Sequence, residues 1–325
     1  MTLTHSAART FSGILGNAAG RYFGGGYRDV VRHLTPVIPT DDPVTFTATS
    51  QLIYPQTWSV KSGGTLVPHL SSIDTLVLAA AATCDAAQAA YELTDADLAA
   101  SWLTDVAITA GSRPDEDLTS IPVTIGLHSL SGTGHSRISA EFSVGSLRGR
   151  LVIALPAPAV PRFTSRPRPQ HNPIDFYQGT FGTHAVDADD VRVAADCTSV
   201  RARAVVYAGA TSYGTSFLES AYAPTVSFVD ALVGAAQLAQ ILLYDLDDVD
   251  RAASNTLWMR KLRLTAHTPV RPIDRAFTAR MDVRRASTLT MGGRHWRSAD
   301  LTLVDFGGIS GGCLLAHALP QAGTS

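Results

Sequence analysis

Apolar and polar positions along the chain fall into two patterns. In "PVTFTATSQLIYP", "SWLTDVAITA", "IPVTIGLHSL", "SRISAEFSV" and "GRLVIAL" they alternate with period two between turn residues, which predicts antiparallel strands. The same alternation returns in "VRVAADCTSVRARAVVYAG", "LWMRKLRLTAH", "FTARMDVRRA", "SADLTLVDF" and "CLLAHAL". The other pattern is continuous. "PHLSSIDTLVLAAAA", Pro68 to Ala82, opens an apolar segment that predicts a helix of about five turns starting near Ser71. A helix apolar on nearly all its faces must be enclosed.

That segment occurs twice. Set against the stretch from Pro224 at a constant offset of 156, the 43 residues from Pro68 match at 11 positions without a gap. Alanine inflates the count, but not the shared Pro68/Pro224, Ser71/Ser227, Asp74/Asp230 and Trp102/Trp258. The chain therefore reads as a tandem duplication. Between the copies, "PAPAVPRFTSRPRPQHNP" carries six prolines in 18 residues and suits neither helix nor interior strand. The expected organisation is an N-terminal arm over 1–20, a first unit over 21–155, a linker over 156–173 and a second unit over 174–325. In each unit an antiparallel sheet wraps one long helix. The expected fold is thus α+β, a double hot dog with its two sheets joined edge to edge.

The 325 residues are 45% hydrophobic and 17% charged, with a net charge of −2, a globular composition without the basic stripe of a nucleic-acid binder. Three cysteines, Cys84, Cys197 and Cys313, lie far apart and form no CxxC, so a reducing cytoplasm is the expected compartment. The N-terminal arm lacks an apolar core of signal length. No run reaches about 18 consecutive apolar residues, so no membrane span is expected.

Both helix starts fit a capping box, Ser71-x-x-Asp74 and Ser227-x-x-Asp230, in which the serine caps backbone N–H groups and the aspartate favours the positive helix end. The same geometry serves chemistry: free N–H groups at a buried helix start can hold a thioester oxygen, and a carboxylate there can act as base. The two readings stay open. His69 breaks the internal symmetry, because Thr225 stands at its counterpart. Gln237 and Gln240 replace Ala81 and Cys84 on the second helix and need polar partners or substrate. The triple glycine Gly24–Gly26 lacks the features of a phosphate loop and marks a tight backbone approach. "GISGG" around Ser310 mimics a nucleophile elbow, but no helix can follow it; like "GSLRG" from Gly145 it marks a bend between strands. The ten histidines are scattered, and neither a metal site nor a cofactor is expected.

"RYFGGGYRDV", "YPQTWS" and "PHLSSIDTL", in that order, resemble the AvrD family, the avirulence D proteins of plant-associated bacteria, over about Arg21 to Leu319. The resemblance implies synthesis of syringolide-type lipids, in which a β-ketoacyl chain is joined to a ketose such as xylulose. It is similar to A-factor synthases, also double hot dogs, whose helix entrance reads DHxxGM with a later glutamate. "PHLSSID" keeps the histidine but lacks that glutamate, so their carboxylate is not carried over. The expected donor is acyl-CoA or an acyl carrier protein, the acceptor a small sugar or hydroxyketone, and homodimerisation is left open. Asp74 with His69 is expected to supply the base on one shared cavity, helped by Asp230 across the pseudo-twofold. Tyr27, Arg28 and Trp58 are expected to hold the acceptor, with Ser71, Ser227 and Gln237 as further substrate contacts. The rivals are a hot-dog thioesterase or dehydratase, the latter lacking its usual HxxxGxxxxP here, and a non-catalytic lipid-binding protein whose aspartates only cap.

Overall fold

The computed structural model describes residues 9–56, 58–61, 64–130, 136–156, 181–209, 217–251, 254 and 256–320. All but Pro156 of the expected linker lies outside them. The helices are α1 (Phe11–Leu15), α2 (Ser72–Tyr91), α3 (Asp95–Ala99) and α4 (Phe228–Asp247). The first half contributes strands β1 (Val31–Leu34), β2 (Thr45–Ile53), β3 (Trp102–Thr109), β4 (Ile121–Leu130), β5 (Arg137–Val144) and β6 (Leu147–Ala154). The second contributes β7 (Ala185–Val193), β8 (Ser199–Tyr207), β9 (Trp258–Ala266), β10 (Phe277–Met291), β11 (Arg294–Phe306) and β12 (Ile309–Ala318).

These strands form one antiparallel sheet in the order β1-β2-β4-β5-β6-β3-β9-β12-β11-β10-β8-β7, with the short strand Ile38–Pro39 beside β2. The second half repeats the strand order of the first. The halves meet edge to edge at β3 and β9, where Ala107 faces Arg263, its own counterpart at the offset of 156. A residue can pair with its own repeat equivalent only on the local twofold axis, so the axis passes through this pair. Trp102 and Trp258 begin β3 and β9 as the repeat predicts.

The two long helices occupy the same register, residues 72–91 and 228–247. Each starts with a capping box formed in full: Ser71 Oγ accepts from the Asp74 N–H at 3.1 Å, and Ser227 Oγ from the Asp230 N–H at 3.1 Å. α2 packs on all six strands of its half, and α4 on β7, β8, β10 and β11. Ile73 through Ala82 are all buried, which explains why no polar stripe interrupts the run. α4 is long and apolar enough to cross a membrane by composition, yet most of it is buried in this core.

The N-terminal segment crosses to the second half, where α1 packs against α4 and β7 and buries Phe11 and Leu15. After it comes the glycine run. The Arg21 carbonyl accepts hydrogen bonds from the N–H groups of Gly24, Gly25 and Gly26 at 3.0–3.1 Å. A Cβ on Gly24 would lie 2.3 Å from the Ala18 carbonyl oxygen, and one on Gly26 2.4 Å from that of Trp58. The expected tight approach is thus a fold of the loop onto itself and onto the segment carrying Trp58.

Candidate functional site

At the first helix start, Asp74 is wholly buried and its oxygens are surrounded by donors. Oδ1 takes Arg32 Nε at 2.8 Å and Nη2 at 2.7 Å. Arg32 is itself fully buried on β1 and donates further to the carbonyls of Val30 and Tyr27. Oδ2 accepts from Ser71 N at 3.2 Å, Ser71 Oγ at 2.6 Å, Tyr22 Oη at 3.3 Å and, closely, from the Tyr54 hydroxyl. Tyr22 Oη also lies 2.5 Å from Ser71 Oγ. Burial, reinforced by the Asp74 charge, pushes the pKa of both tyrosines well up, so they remain hydroxyl donors. The Arg32 pKa is raised because Asp74 outweighs the opposing effect of burial.

At the second helix start, Asp230 is equally buried, but its partner is a histidine. His184 Nδ1 lies 2.8 Å from Asp230 Oδ2, which also accepts from Ser227 N and Ser227 Oγ at 2.8 Å each. Burial acts to lower the His184 pKa, and the Asp230 carboxylate overcomes it, leaving the imidazole above its usual value. Arg28 holds the His184 carbonyl at 2.9 Å, and Tyr27 lies in the field of Asp230, its pKa raised by burial and then by that charge. Thr225, the counterpart of His69, is buried: its hydroxyl accepts from Arg271 N at 2.8 Å and donates to the Pro269 carbonyl at 3.0 Å. Arg271 is in turn paired with Glu219 at 2.8 Å, and Glu219 accepts from Leu103 N on β3. Thr225, Val226, Ser227 and Asp230 are all buried at this entrance.

The first entrance opens instead on a cavity of about 640 Å³, lined from both halves. His69 stands on its wall between two tryptophans, Trp258 at a ring-centroid distance of 5.1 Å and Trp58, edge-on, at 5.9 Å. His69 Nδ1 is 3.1 Å from the Val67 carbonyl. A carbonyl only accepts, so the contact selects the tautomer of the neutral ring with the proton on Nδ1 and the lone pair on Nε2. Ser71, Ser72 and Tyr22 place the start of α2 on the same wall. Ser71 caps the Asp74 N–H and the first intrahelical bond is Thr75 N to Ser71 O, which leaves the Ser72 and Ile73 N–H groups at the unsatisfied end. Leu66, Leu70, Leu147, Leu257 and Met259 supply an apolar surface.

The cavity thus collects His69, Ser71 and Trp58 of the expected site residues and leaves the others out. Asp74 does not share it with His69: it lies behind Ser71 and Tyr22, enclosed by Arg32, because a buried carboxylate is held by donors rather than turned to substrate. Asp230 and Ser227 close on His184. Tyr27 is buried, and Arg28 is spent on the His184 carbonyl. Gln237 accepts from Arg21 Nη1 at 2.8 Å behind the wall, whereas Gln240 reaches it. Sequence reading missed Arg32, Tyr22, Tyr54, His184, Arg21 and Arg251. Arg21 and Tyr22 stand in "RYFGGGYRDV" and Tyr54 opens "YPQTWS", motifs that carry the family resemblance, and His184 lies 156 residues after Arg28, within reach of the repeat extended upstream.

No curated protein matches the chain. Among solved structures it is similar to a putative thioesterase from Novosphingobium aromaticivorans DSM 12444, 12% identical with a TM-score of 0.39, over 88% of this chain and 99% of that one. It is also similar to the dehydratase domain of PpsC from Mycobacterium tuberculosis, in complex with C12:1-CoA, at 12% identity and a TM-score of 0.37 over 88% and 98%. A putative thioesterase II from Thermobifida fusca YX gives 12% and 0.37 over 87% and 95%. The sequence itself is more telling: the model of the Pseudomonas avirulence D protein (AvrD) matches residues 6–320, nearly the whole length, and the chain belongs to the AvrD family.

Proposed function

We propose that the chain is a double hot dog that joins a β-ketoacyl thioester to a ketose or similar hydroxyketone, giving a butenolide or syringolide-type lipid. The donor is an acyl-CoA or an acyl carrier protein, and the acceptor is a small xylulose-like sugar. The observation that carries this reading is the cavity at the start of α2, whose wall brings the His69 imidazole together with an apolar surface and the Ser72 end of the helix. The acyl chain lies along Leu66, Leu70, Leu147 and Leu257. Its thioester oxygen is received by the Ser72 N–H group at the helix start, which strengthens its hold as negative charge develops. His69 Nε2 takes the proton of the acceptor hydroxyl as its oxygen attacks the carbonyl carbon. The tetrahedral intermediate collapses, the C–S bond breaks, and the thiolate leaves with that proton. The α-carbon of the new β-ketoester, acidified by two carbonyls, then loses a proton to His69 and attacks the acceptor ketone; loss of water yields the butenolide. Asp74 acts as a positioning residue that fixes Ser71 and Tyr22, and Asp230 has the corresponding structural place in the second half.

The test is incubation with a β-ketoacyl thioester and candidate ketoses, read by mass spectrometry. The expected product has the combined mass of thioester and ketose less the released thiol, and less one further water once the butenolide has formed. Release of free β-keto acid whatever the acceptor would establish the thioesterase reading instead. Binding of the thioester with no turnover would leave a lipid carrier.

A further inference from the structure

The cavity wall carries Arg21, Arg113, Arg251, Arg260 and His69, and among the described residues neither an aspartate nor a glutamate lines it. Most of this charge is at the rim, but Arg21 is 3% exposed. Its Nη1 donates to Gln237 Oε1 at 2.8 Å, while its Nε, the Nε2 of Gln237 and the Nε of Arg251 are buried without an acceptor among the described residues. Burial and then the charge of Arg251 push the Arg21 pKa down to about 10, so the two guanidinium groups act on one another. Burial likewise lowers that of Arg251. Elsewhere in this protein buried arginines have carboxylate partners: Arg32 has Asp74 and Arg271 has Glu219. Arg21 and Arg251 have none within ion-pair distance among the described residues; Asp187 and Asp250 act on them from farther away and oppose the downward shifts without reversing them.

We propose that the Arg21–Arg251 end of the cavity is a binding subsite for a phosphate monoester. Two neighbouring guanidinium groups call for a dianion, because a single carboxylate would neutralise only one of them. Several oxygens on one phosphorus can also accept from both guanidinium groups on this wall together, which a neutral hydroxyl cannot. The proposal deepens the acyl-transfer reading and rests on it for the origin of the ligand: the phosphate belongs either to the CoA or phosphopantetheine arm of the donor or to a phosphorylated ketose acceptor.

Titration calorimetry of the full chain with inorganic phosphate tests the subsite itself. Phosphate should bind at millimolar concentration or below, and Arg251→Gln and Arg21→Gln should each weaken it roughly tenfold or more. Arg192→Gln, on the exposed face of β7, should change nothing. Arg251 is only half-buried, so if Arg21→Gln fails to fold, Arg251→Gln decides alone. Loss of affinity confined to CoA against pantetheine assigns the phosphate to the donor. Loss confined to a ketopentose phosphate against the free ketopentose assigns it to the acceptor. No phosphate binding, or binding that Arg251→Gln leaves intact, overturns the proposal. Arginine-dependent phosphate binding without product from any donor and acceptor would keep the subsite and end the acyl-transfer reading. Product formation with phosphate binding indifferent to Arg251 would do the reverse.

Discussion

His69 and Thr225 occupy equivalent places in the repeat, and their surroundings decide what each can do. Thr225 is locked between the Pro269 carbonyl and Arg271 N, whereas His69 has one ring nitrogen fixed by Val67 and the other unclaimed beside a cavity. His69→Gln keeps a polar group of similar reach but removes the base. Product formation should fall roughly 10²- to 10⁴-fold while the melting temperature stays nearly constant; undiminished turnover would remove His69 from the mechanism. Asp74 behaves differently. Asp74→Asn still accepts hydrogen bonds at the cap, but it leaves the fully buried Arg32 charge without a counter-ion. Unfolding in denaturant should show a loss of about 3–5 kcal/mol, partly restored when Arg32→Met removes the orphaned charge as well. A stable Asp74→Asn protein would show that the ion pair is not structural.

At the level of elements, the glycine loop makes the next prediction. Gly26 packs against the Trp58 carbonyl with no room for a Cβ, and Trp58 in turn touches His69. Gly26→Ala should cost about 1–3 kcal/mol of stability through overpacking and should also lower activity, because the loop must move away from the wall that carries His69. Thermal melts and initial rates check the two effects separately. The elements themselves were largely legible in the sequence. Ser71 and Asp74, repeated as Ser227 and Asp230, mark helix starts because a capping box is local chemistry, and the two helices begin where those residues place them. Alternation marked the strands because each buries one face. The partners of the ionisable groups were not legible. Arg32 reads as an ordinary strand residue in "VRHL", and its meeting with Asp74 depends on the packing of β1 against α2. Arg21 and Gln237 lie 216 residues apart and meet only through the fold.

Across the whole molecule, duplication has left two helix starts with one shared frame and different content. The first has an arginine–aspartate pair behind a cavity, and the second a histidine–aspartate pair behind a buried threonine. Only the second pair can change its charge near neutrality. His184 has a folded-state pKa above the usual imidazole value of about 6.5 because Asp230 outweighs burial. At pH below that value the histidine is protonated in both the folded and the unfolded chain, and the pair contributes fully to stability. As pH rises through the higher folded-state pKa, the folded protein also loses the proton, and the contribution disappears. Asp230→Asn keeps an acceptor for the Ser227 cap but abolishes the attraction. Its destabilisation relative to the parent protein should therefore be largest in mildly acidic solution and should shrink as pH rises past neutrality, as followed by melting temperature across that range. The Arg32–Asp74 pair should supply no such slope, because its arginine does not titrate there. A destabilisation by Asp230→Asn that is the same at acidic and alkaline pH would show that the second helix start is held by its cap alone and that the His184–Asp230 attraction contributes nothing to the stability of the fold.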